Sequence, residues 1–378
     1  MRILLAHPGA ELYGSDRMAV AAAKALVDAG HVVTAVLPTQ GPLEALFKEA
    51  GASVTILNLP VLRKSLLKPT SFLRLVARMP RIVALARRAL KDVGAEVAYV
   101  NTITQPWWLA AARLTGTPSL VHVREAETEI SPLAQRVLTA PLALANQIVA
   151  NSESTRTHLG RQFKGLLRKS RVVYNGKDWA AYFRADFKPD VTSPNLVFVG
   201  RLSPRKGPDV AIKALAEVIE GGVDARLVLV GSIYPGYEWY ETELRELVAD
   251  LGLVDQVEFA GFQADPGYFL ETATVALVPS RVEPFGTVAA EGMAAGRPTI
   301  VSSIDGLTEI VDSDAVGRRF EVGDHVKLAQ AITELIHDPE LARRIAATGR
   351  ESVLSRFSLQ AYDAAVVDAV ETTRKTRR

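Results

Sequence analysis

The sequence predicts an α/β protein with two Rossmann-like domains, each built on a parallel sheet. Short runs rich in β-branched residues alternate with helical patterns along most of the chain, which is typical of βαβ units. One polar segment with two prolines interrupts this alternation near the middle. A length of 378 residues and a hydrophobic fraction of 48% suit two globular domains with sizeable cores.

The first half of the chain contains seven candidate strands, with helical stretches between most of them. The strands are residues 2–6, 32–37, 53–57, 97–100, 119–123, 147–150 and 171–174. The clearest helical patterns lie at 15–29 and 132–145. Because helices separate the strands, we expect the strands to run parallel in one sheet.

The second half repeats this pattern, and a polar linker is predicted at 185–194. Its candidate strands are residues 196–200, 226–231, 257–260, 274–278 and 299–302. We therefore expect one domain over 1–185 and a second over 186–357. A last helix is predicted at 359–373, followed by a frayed end.

The composition excludes several kinds of chemistry. The chain has no cysteine, which rules out a disulfide framework, a thiol nucleophile and a thiolate metal site. No group of His, Asp and Glu has metal-ligand spacing. No apolar run reaches the length that crosses a bilayer, and Met1 leads directly into the first strand without a signal peptide. We therefore expect a cytoplasmic protein.

Charge is distributed unevenly along the chain, although the net charge is only +2. Residues 1–180 hold 23 Lys and Arg against 12 Asp and Glu, whereas the rest hold 21 against 30, which predicts an anionic partner for the first half. Residues 60–91 contribute nine basic side chains and no acidic one, in an amphipathic pattern. Such a segment is either a helix that lies on an anionic membrane surface or an ordinary surface helix packed on the sheet. Nucleic acid is disfavoured as a partner, because no nucleic-acid-binding module is recognisable.

Two glutamates eight positions apart mark the first candidate site. Glu283 falls on the loop at the carboxyl end of a strand, and Glu291 falls in the first turns of the small-residue helix that follows. Ligands of open α/β sheets bind at this edge, and a helix start favours anionic groups. Either carboxylate can accept hydrogen bonds from sugar hydroxyls, although Glu291 is also explained as a helix-cap residue.

A second candidate site follows the first strand of the second half. The loop carries Arg201 and Lys206 and leads into a helix, so both cations can reach a ligand at the same edge of the sheet. A guanidinium and an ammonium suit phosphate oxygens. Loop cations are also often simply solvated, but together with the two glutamates they favour phosphate binding.

The first loop of the chain carries Gly9 and Gly14 at the spacing of a P-loop. Ser15 and Asp16 stand where that motif needs Lys and Ser or Thr, which excludes an NTPase of that class. The absence of G-x-G-x-x-G likewise disfavours a dehydrogenase. A glycine-bearing loop still lets a ligand approach the backbone.

A histidine near the end of a predicted strand is the remaining candidate. His122 lies at the end of an apolar strand, where it is either a core residue or directed towards a ligand. Glu125, Glu127 and Glu129 follow on a predicted loop, where they either line the site or are solvated.

Together these motifs resemble the retaining glycosyltransferases of family 4, which have the GT-B fold. The resemblance runs nearly from end to end, and its sharpest element is the E-x7-E pattern of Glu283 and Glu291. The supporting elements are Gly200-Arg201-Leu202 with Lys206-Gly207, Asn151-Ser152-Glu153-Ser154, Tyr174-Asn175-Gly176 and Ala294-Ala295-Gly296-Arg297-Pro298. The resemblance implies two Rossmann-like domains facing a cleft, with residues 358–378 crossing back onto the first domain.

The resemblance also implies roles for the site residues. Arg201 and Lys206 would bind the diphosphate of a nucleotide sugar, Glu291 would bind the ribose, and Glu283 would bind the transferred sugar. The remaining implied contacts are the amides of Phe285, Gly286 and Thr287, the side chain of His122 near the reacting carbon, and the loop of Gly14 at the phosphates.

The activity implied by the resemblance is transfer of a sugar from a UDP- or GDP-sugar to a saccharide or lipid-linked acceptor, with retention at the anomeric carbon. The two cations and a helix start would replace a metal ion, so we expect no metal or other cofactor. Two alternatives stay open. One is another GT-B enzyme, such as a sugar-nucleotide epimerase or a phosphorylase. The other is a non-catalytic sugar-nucleotide-binding partner subunit.

Overall fold

The computed structural model describes residues 1–12, 14–62, 69–125, 130–183, 186–233 and 236–376. Its contacts divide the chain into two compact units. The first unit combines Met1–Gly176 with Gln360–Arg378, and the second is Lys177–Leu359. Each unit is an α/β domain with one parallel sheet, as the sequence predicts.

The first unit is built on a seven-stranded parallel sheet in the order β3-β2-β1-β4-β5-β6-β7. The strands are β1 Arg2–Ala6, β2 Val32–Leu37, β3 Ser53–Ile56, β4 Val97–Asn101, β5 Ser119–Val123, β6 Gln147–Ala150 and β7 Ser170–Val172. The helices are α1 Gly14–Asp28, α2 Leu43–Glu49, α3 Pro69–Val93, α4 Trp107–Thr115, α5 Pro132–Thr139, α6 Glu153–Gln162 and α7 Lys164–Leu167. The core includes Trp107 and Trp108, each 1% exposed.

The second unit has a six-stranded parallel sheet in the order β10-β9-β8-β11-β12-β13. Its strands are β8 Asn195–Val199, β9 Arg226–Val230, β10 Val257–Gly261, β11 Val275–Val278, β12 Thr299–Ser302 and β13 Arg318–Phe320. Its helices are α8 Pro208–Glu220, α9 Glu238–Asp250, α10 Gly267–Thr272, α11 Thr287–Ala294, α12 Leu307–Ile310, α13 His325–His337 and α14 Pro339–Arg356. Strand β13 was not predicted, because two of its three residues are arginines and it carries no apolar run.

Both sheets change direction of growth next to their first strand. The chain adds two strands on one side of β1 and then continues from β4 on the other side, and it does the same from β8 to β11. Open α/β sheets bind ligands outside the carboxyl ends of their strands at such a position. We call this position the switch point of each sheet.

The last helix belongs to the first unit, as predicted. Helix α15, Leu359–Lys375, follows the end of α14 and buries Val366 and Val370. Its Tyr362 hydroxyl donates to the carbonyl oxygen of Met18 at 3.0 Å, and Thr373 donates to the side chain of Gln147 at 2.7 Å.

Residues that precede the predicted linker pack within the second unit. The indole nitrogen of Trp179 donates to the carbonyl oxygen of Phe357 at 2.5 Å. The backbone of Lys177 bridges to that of Ser358. These contacts place the start of the second unit at Lys177, upstream of the 185–194 segment.

The basic segment forms α3 and packs its apolar side on the first unit. Leu75, Ile82 and Leu90 belong to the core, so the expectation of an ordinary surface helix is met. The exposed face carries the arginines at helical spacing, Arg74, Arg78, Arg81 and Arg88. The other basic residues predicted for this segment include Arg63, Lys64 and Lys68, which lie outside the described residues. Within the described chain, none of the helices combines the length and hydropathy needed to cross a bilayer.

Candidate functional site

Two close backbone approaches bring together the loops at the switch point of the second sheet. Gly231 has φ +148°, and a Cβ there would lie 1.8 Å from the carbonyl oxygen of Gly200. Gly207 has φ +70°, and its Cβ would lie 2.1 Å from the carbonyl oxygen of Pro279. Only glycine permits either contact, because a side chain would overlap backbone atoms. The loop after β8 is therefore pressed against the ends of both neighbouring strands, β9 and β11.

A partly buried ion pair stabilises this arrangement. Arg281 follows β11 and donates to both carboxylate oxygens of Asp209 in α8, at 2.8 and 2.6 Å. It also donates to the carbonyl oxygen of Pro204 at 2.7 Å. Burial alone would raise the pKa of Asp209, but its hydrogen bonds to Arg281 and Tyr240 outweigh burial and lower it. Sequence reasoning missed this bidentate pair, because the partners are 72 residues apart.

The predicted phosphate-binding lysine and sugar-binding glutamate contact each other. Lys206 Nζ donates to Glu283 Oε2, and their side chains are only 17% and 11% exposed. The backbone amide of Glu283 donates to Asp305 Oδ2 at 3.3 Å, and the Ser280 hydroxyl donates to Glu283 Oε2 at 3.5 Å. The structure thus brings one cation and one carboxylate of the predicted set into a single ion pair.

Arg201 lies in the same loop as Lys206, immediately after the close approach of Gly200 to Gly231. Its side chain is half-buried and already engaged in an interaction. Arg201 therefore lies in the loop at the carboxyl edge of the sheet.

The helix after Glu283 starts as the sequence predicts. Gly286 is its N-cap with φ +105°, and no side chain caps the first turn. The rings of Phe285 and Phe357 pack with their centroids 5.6 Å apart. The backbone from 285 to Thr287 forms the helix start. A Cβ at Gly292 would lie 2.9 Å from the Thr299 hydroxyl, so the small residues of α11 let it pack directly on the sheet. The first-turn amides of a helix have no intrahelical acceptor and suit an anionic group.

Glu291 lies in the second turn of α11, so the alternative explanation as a cap residue is wrong. Its Oε1 accepts from Lys177 Nζ at 2.5 Å and from the Tyr182 hydroxyl at 3.0 Å. Burial alone would lower the pKa of Lys177, but the Glu291 carboxylate outweighs it and raises that pKa. Sequence reasoning missed Lys177 and Tyr182, since no local signal connects them to a residue more than 100 positions away.

The first unit contributes the remaining candidates. Gly14 begins α1, is exposed, and has no atom within 4 Å of where a Cβ would lie, so packing does not require glycine there. His122 is fully buried near the end of β5, and its Nδ1 lies 2.6 Å from the Tyr99 hydroxyl and 3.2 Å from Arg124. Burial, reinforced by the charge of Arg124, lowers the pKa of His122 well below its ordinary value. Glu125 follows shortly after β5, whereas Glu127 and Glu129 lie outside the described residues.

One motif that supported the resemblance has a structural explanation. In Asn151-Ser152-Glu153-Ser154, Ser152 is the N-cap of α6 and accepts from the amide of Thr155 at 3.0 Å. The Thr155 hydroxyl in turn donates to the side chain of Asn151 at 3.0 Å. These residues stabilise a helix start.

Across the parts of the chain that the structure describes, no three His, Asp or Glu side chains form a group that could hold a metal ion.

Comparison with known proteins gives two family matches that follow each other along the chain. The model described as Glycosyltransferase Family 4 matches residues 13–179, and the model described as Glycosyl transferases group 1 matches residues 182–352. Together they account for most of the sequence.

Individual relatives are also glycosyltransferases by name. The chain is 36% identical over 185 residues to the lipopolysaccharide core biosynthesis glycosyltransferase LpsD of Rhizobium meliloti, covering 49% of this chain and 51% of the relative. It is 31% identical over 277 residues to a D-inositol 3-phosphate glycosyltransferase of Acidothermus cellulolyticus, covering 65% of this chain and 61% of that relative. The matches thus span about half to three fifths of these relatives' lengths.

Solved structures share the fold over the whole chain. HepE of Anabaena superposes with a TM-score of 0.84 at 23% identity, covering 98% of this chain and all of HepE. Sucrose-phosphate synthase of Thermosynechococcus elongatus gives a TM-score of 0.78 at 22% identity, covering 98% of each chain. With the two consecutive family matches and the E-x7-E motif at the switch point, these findings show that the chain belongs to glycosyltransferase family 4 and has the GT-B fold.

Proposed function

We propose that the protein transfers a sugar from a nucleotide diphosphate sugar to a saccharide or lipid-linked acceptor in glycan or glycolipid biosynthesis. The observation that carries the proposal is the Lys206–Glu283 ion pair beside the helix start of α11, at the switch point of the second sheet. This edge offers an ammonium and backbone amides to a diphosphate, and a carboxylate to sugar hydroxyls. A phosphate that takes over Lys206 releases Glu283 for the sugar.

The chemistry we propose is stabilisation of charge that builds up on the departing diphosphate. Lys206 and Arg201 lie on one loop, and preorganised cations of this kind lower the barrier to leaving-group departure. We further propose retention at the anomeric carbon, with a leaving-group oxygen helping to accept the acceptor proton. Metal-independence is part of the proposal, because the two cations and the first turn of α11 serve the phosphates.

For the donor, we propose a UDP-sugar as the first candidate. HepE of Anabaena, which shares the fold, has been crystallised with UDP and with UDP-glucose. Glu291 is held by Lys177 and Tyr182 through one oxygen, which fixes the carboxylate where a ribose diol can bind its other oxygen.

For the acceptor, we propose an anionic or lipid-linked saccharide on the first unit. The excess of basic residues in the first half and the exposed arginines of α3 suit such a partner. The two named relatives act, by their names, in lipopolysaccharide core biosynthesis and on D-inositol 3-phosphate. We propose that α3 draws the protein to an anionic membrane surface by charge alone, since its apolar side is buried in the core. Flotation with phosphatidylserine vesicles at low salt tests this, and a protein that stays at the bottom of the gradient contradicts it.

The function is tested with UDP-, GDP-, ADP- and dTDP-sugars. We expect one of them to raise the melting temperature and to be consumed with EDTA present when an acceptor is supplied. NMR of the product should show the anomeric configuration of the donor. An inverted product contradicts retention, and a requirement for metal contradicts metal-independence. Conversion of the donor alone into an epimer favours the epimerase, and phosphate-dependent sugar release favours the phosphorylase. Binding with neither transfer nor hydrolysis favours the non-catalytic partner subunit.

A further inference from the structure

A buried arginine in the first unit sits at the centre of a set of directed hydrogen bonds. Arg124 directly follows β5 and is 8% exposed. Its Nε lies 2.9 Å from Asn101 Oδ1, and its Nη1 lies 2.8 Å from Asn175 Oδ1. Its Nη2 lies 3.2 Å from His122 Nδ1 and 3.1 Å from the Tyr362 hydroxyl. We call these five residues the Arg124 network.

The direction of every bond in the Arg124 network follows from its centre. A guanidinium has only donors, so each atom it contacts must accept. Asn101 therefore turns its oxygen towards Arg124 and its amide nitrogen towards His7 Nδ1, which lies 2.7 Å away. His7 Nδ1 must then accept, and the proton of His7 is on Nε2, which donates to Asp16 Oδ1 at 2.8 Å. One buried cation thus sets the tautomer of a histidine that it does not contact.

The same argument fixes the tautomer of His122. Its Nδ1 must accept from Arg124, and the Tyr99 hydroxyl, 2.6 Å away, donates to the same nitrogen. Burial raises the pKa of Tyr99 and lowers that of His122, so the phenol keeps its proton and the imidazole stays neutral. The single ring proton is therefore on Nε2.

The Nε2–H group of His122 lies at one end of this set of hydrogen bonds. Among the residues that the structure describes, His122 Nε2 is buried without a hydrogen-bond partner. A buried donor without an acceptor is unfavourable by about 1–3 kcal/mol, so such a group in a native protein calls for an explanation, and a ligand oxygen that accepts from it supplies one. One neutral N–H suits a hydroxyl oxygen, whereas phosphates are usually bound by several or charged donors.

We propose that Arg124 and Tyr99 are positioning residues that hold His122 as a permanent Nε2–H donor to a hydroxyl oxygen of the saccharide substrate. His122 then orients the sugar and never acts as a general base, because Tyr99 and Arg124 together engage the one lone pair of its unprotonated nitrogen. The identity of the ligand rests on the proposed function, but the tautomer does not.

The tautomer is tested directly by long-range ¹H–¹⁵N correlation spectra of the histidine rings, with His122→Gln used to assign the His122 signals. We expect an unprotonated Nδ1 and a protonated Nε2 throughout pH 5.5–8.5. Among the described residues, the titratable groups that contact the ring are Tyr99 from β4, Arg124 and, through Arg124, Tyr362 from α15. An Nδ1–H tautomer, a mixture of tautomers or a protonated ring in this range overturns the proposal.

Variants separate positioning from a merely structural role. In Arg124→Lys, one ammonium cannot serve four acceptors, so we expect a mixture of His122 tautomers and a loss of kcat of about tenfold, the size of one well-aligned hydrogen bond. Tyr99→Phe should lower kcat less, because Arg124 still occupies Nδ1. Tyr362→Phe is the matched control: it also removes a hydroxyl bound to Arg124, but the His122 tautomer should not change.

Each result bears on one conclusion. An unchanged tautomer and unchanged kcat in Arg124→Lys contradict the role of Arg124. If that variant does not fold, the unmodified protein and Tyr99→Phe still decide the question: loss of the Nε2–H signal in Tyr99→Phe shows that the phenol and not Arg124 sets the tautomer. An Nε2–H ring in a protein that transfers no sugar from any donor refutes the proposed function and leaves the tautomer assignment standing.

Discussion

The two units have the same strand order around their switch points, but opposite chemistry there. At the first sheet, neutral imidazoles and amides surround one buried arginine, and His7, Asn101 and His122 are oriented by hydrogen-bond direction. At the second sheet, Lys206 and Glu283 compensate each other as an ion pair. The comparison shows that the topology determines where polar groups gather, whereas the residue types determine how they are held.

The two arrangements respond differently to a ligand. An ion pair can exchange one partner for a charged ligand, because the new charge replaces the old one. A directed network cannot exchange members, since each lost contact leaves a buried group unsatisfied. This difference fits the proposed function, in which the second unit binds the charged donor and the first unit presents fixed hydrogen-bond donors.

The largest effect should come from breaking the charge compensation of the second unit. Lys206→Ala removes a charge proposed to stabilise the leaving diphosphate and leaves Glu283 as an uncompensated, largely buried carboxylate. We expect kcat for sugar transfer to fall by about 10²–10³-fold, the usual effect of removing one preorganised stabilising group. Initial rates at saturating donor measure it.

Lys327→Ala is the control for that experiment. Lys327 pairs with Glu321 at 2.8 Å on the surface of the same unit, and exposed pairs contribute little. The initial rates of sugar transfer by this variant should match those of the unmodified protein. Undiminished turnover in a folded Lys206→Ala protein would remove the charge argument for the second unit.

A smaller effect should follow from separating the two loops that carry the ion pair. Gly207→Ala would place a Cβ 2.1 Å from the carbonyl oxygen of Pro279, at φ +70°. Gly252 has nearly the same φ, +68°, with no atom within 4 Å, so Gly252→Ala isolates the cost of the backbone conformation. We expect about 1 kcal/mol of lost stability for Gly252→Ala and about 3 kcal/mol for Gly207→Ala, measured by urea unfolding at equal slopes. Equal losses in the two variants would show that the close approach is not required.

The smallest effect is expected in mild acid, where the stabilities of the two units should respond differently to pH. For each buried histidine, the equilibrium constant of unfolding should change about tenfold per pH unit. Burial lowers the pKa of His7 in spite of the Asp16 carboxylate, and burial lowers that of His122. Below pH 6.5 these two histidines bind protons in the unfolded chain but stay neutral in the folded protein. The free energy of unfolding therefore falls with decreasing pH, by up to about 1.4 kcal/mol per pH unit for each ring. In the second unit, the lowered pKa of Asp209 contributes stability that is complete above pH 3.8 and is lost only at lower pH.

Hydrogen exchange from pH 7 to pH 5, corrected for intrinsic rates, measures this difference between units. Protection should decrease in the strands of the first unit and persist in β8 and β11. The variant His7→Asn should flatten the response of the first unit. A uniform loss over both units would mean that the buried rings do not govern acid stability.

The parts of the fold that sequence reasoning predicted are those with local signals. Apolar runs and helical patterns located the two sheets, because burial of a parallel strand on both faces requires a continuous apolar segment. Strand β13 was not predicted, because Arg318 and Arg319 interrupt any such apolar run. The boundary between units was placed downstream of Lys177, because Trp179 and its neighbours lack a local sign of the contacts they make with Phe357.

The candidate site divides in the same way. Glu283, Lys206 and Gly286 could be proposed from the sequence, because each occupies a loop or helix start directly after a strand. Lys177, Arg281 and Arg124 could not, since each acts through a partner far along the chain. Their roles depend on which loops the sheet order makes neighbours.

The sequence by itself determined the family, the two parallel sheets and the residue types at the strand ends, because these depend on local periodicity and short motifs. Only the tertiary structure decided that Lys206 pairs with Glu283, that Lys177 holds Glu291, and that Arg124 orients the rings of His7 and His122. The physical reason is that ion pairs and hydrogen-bond directions depend on distances between atoms that the chain brings together only after β8 meets β11 and β4 meets β5.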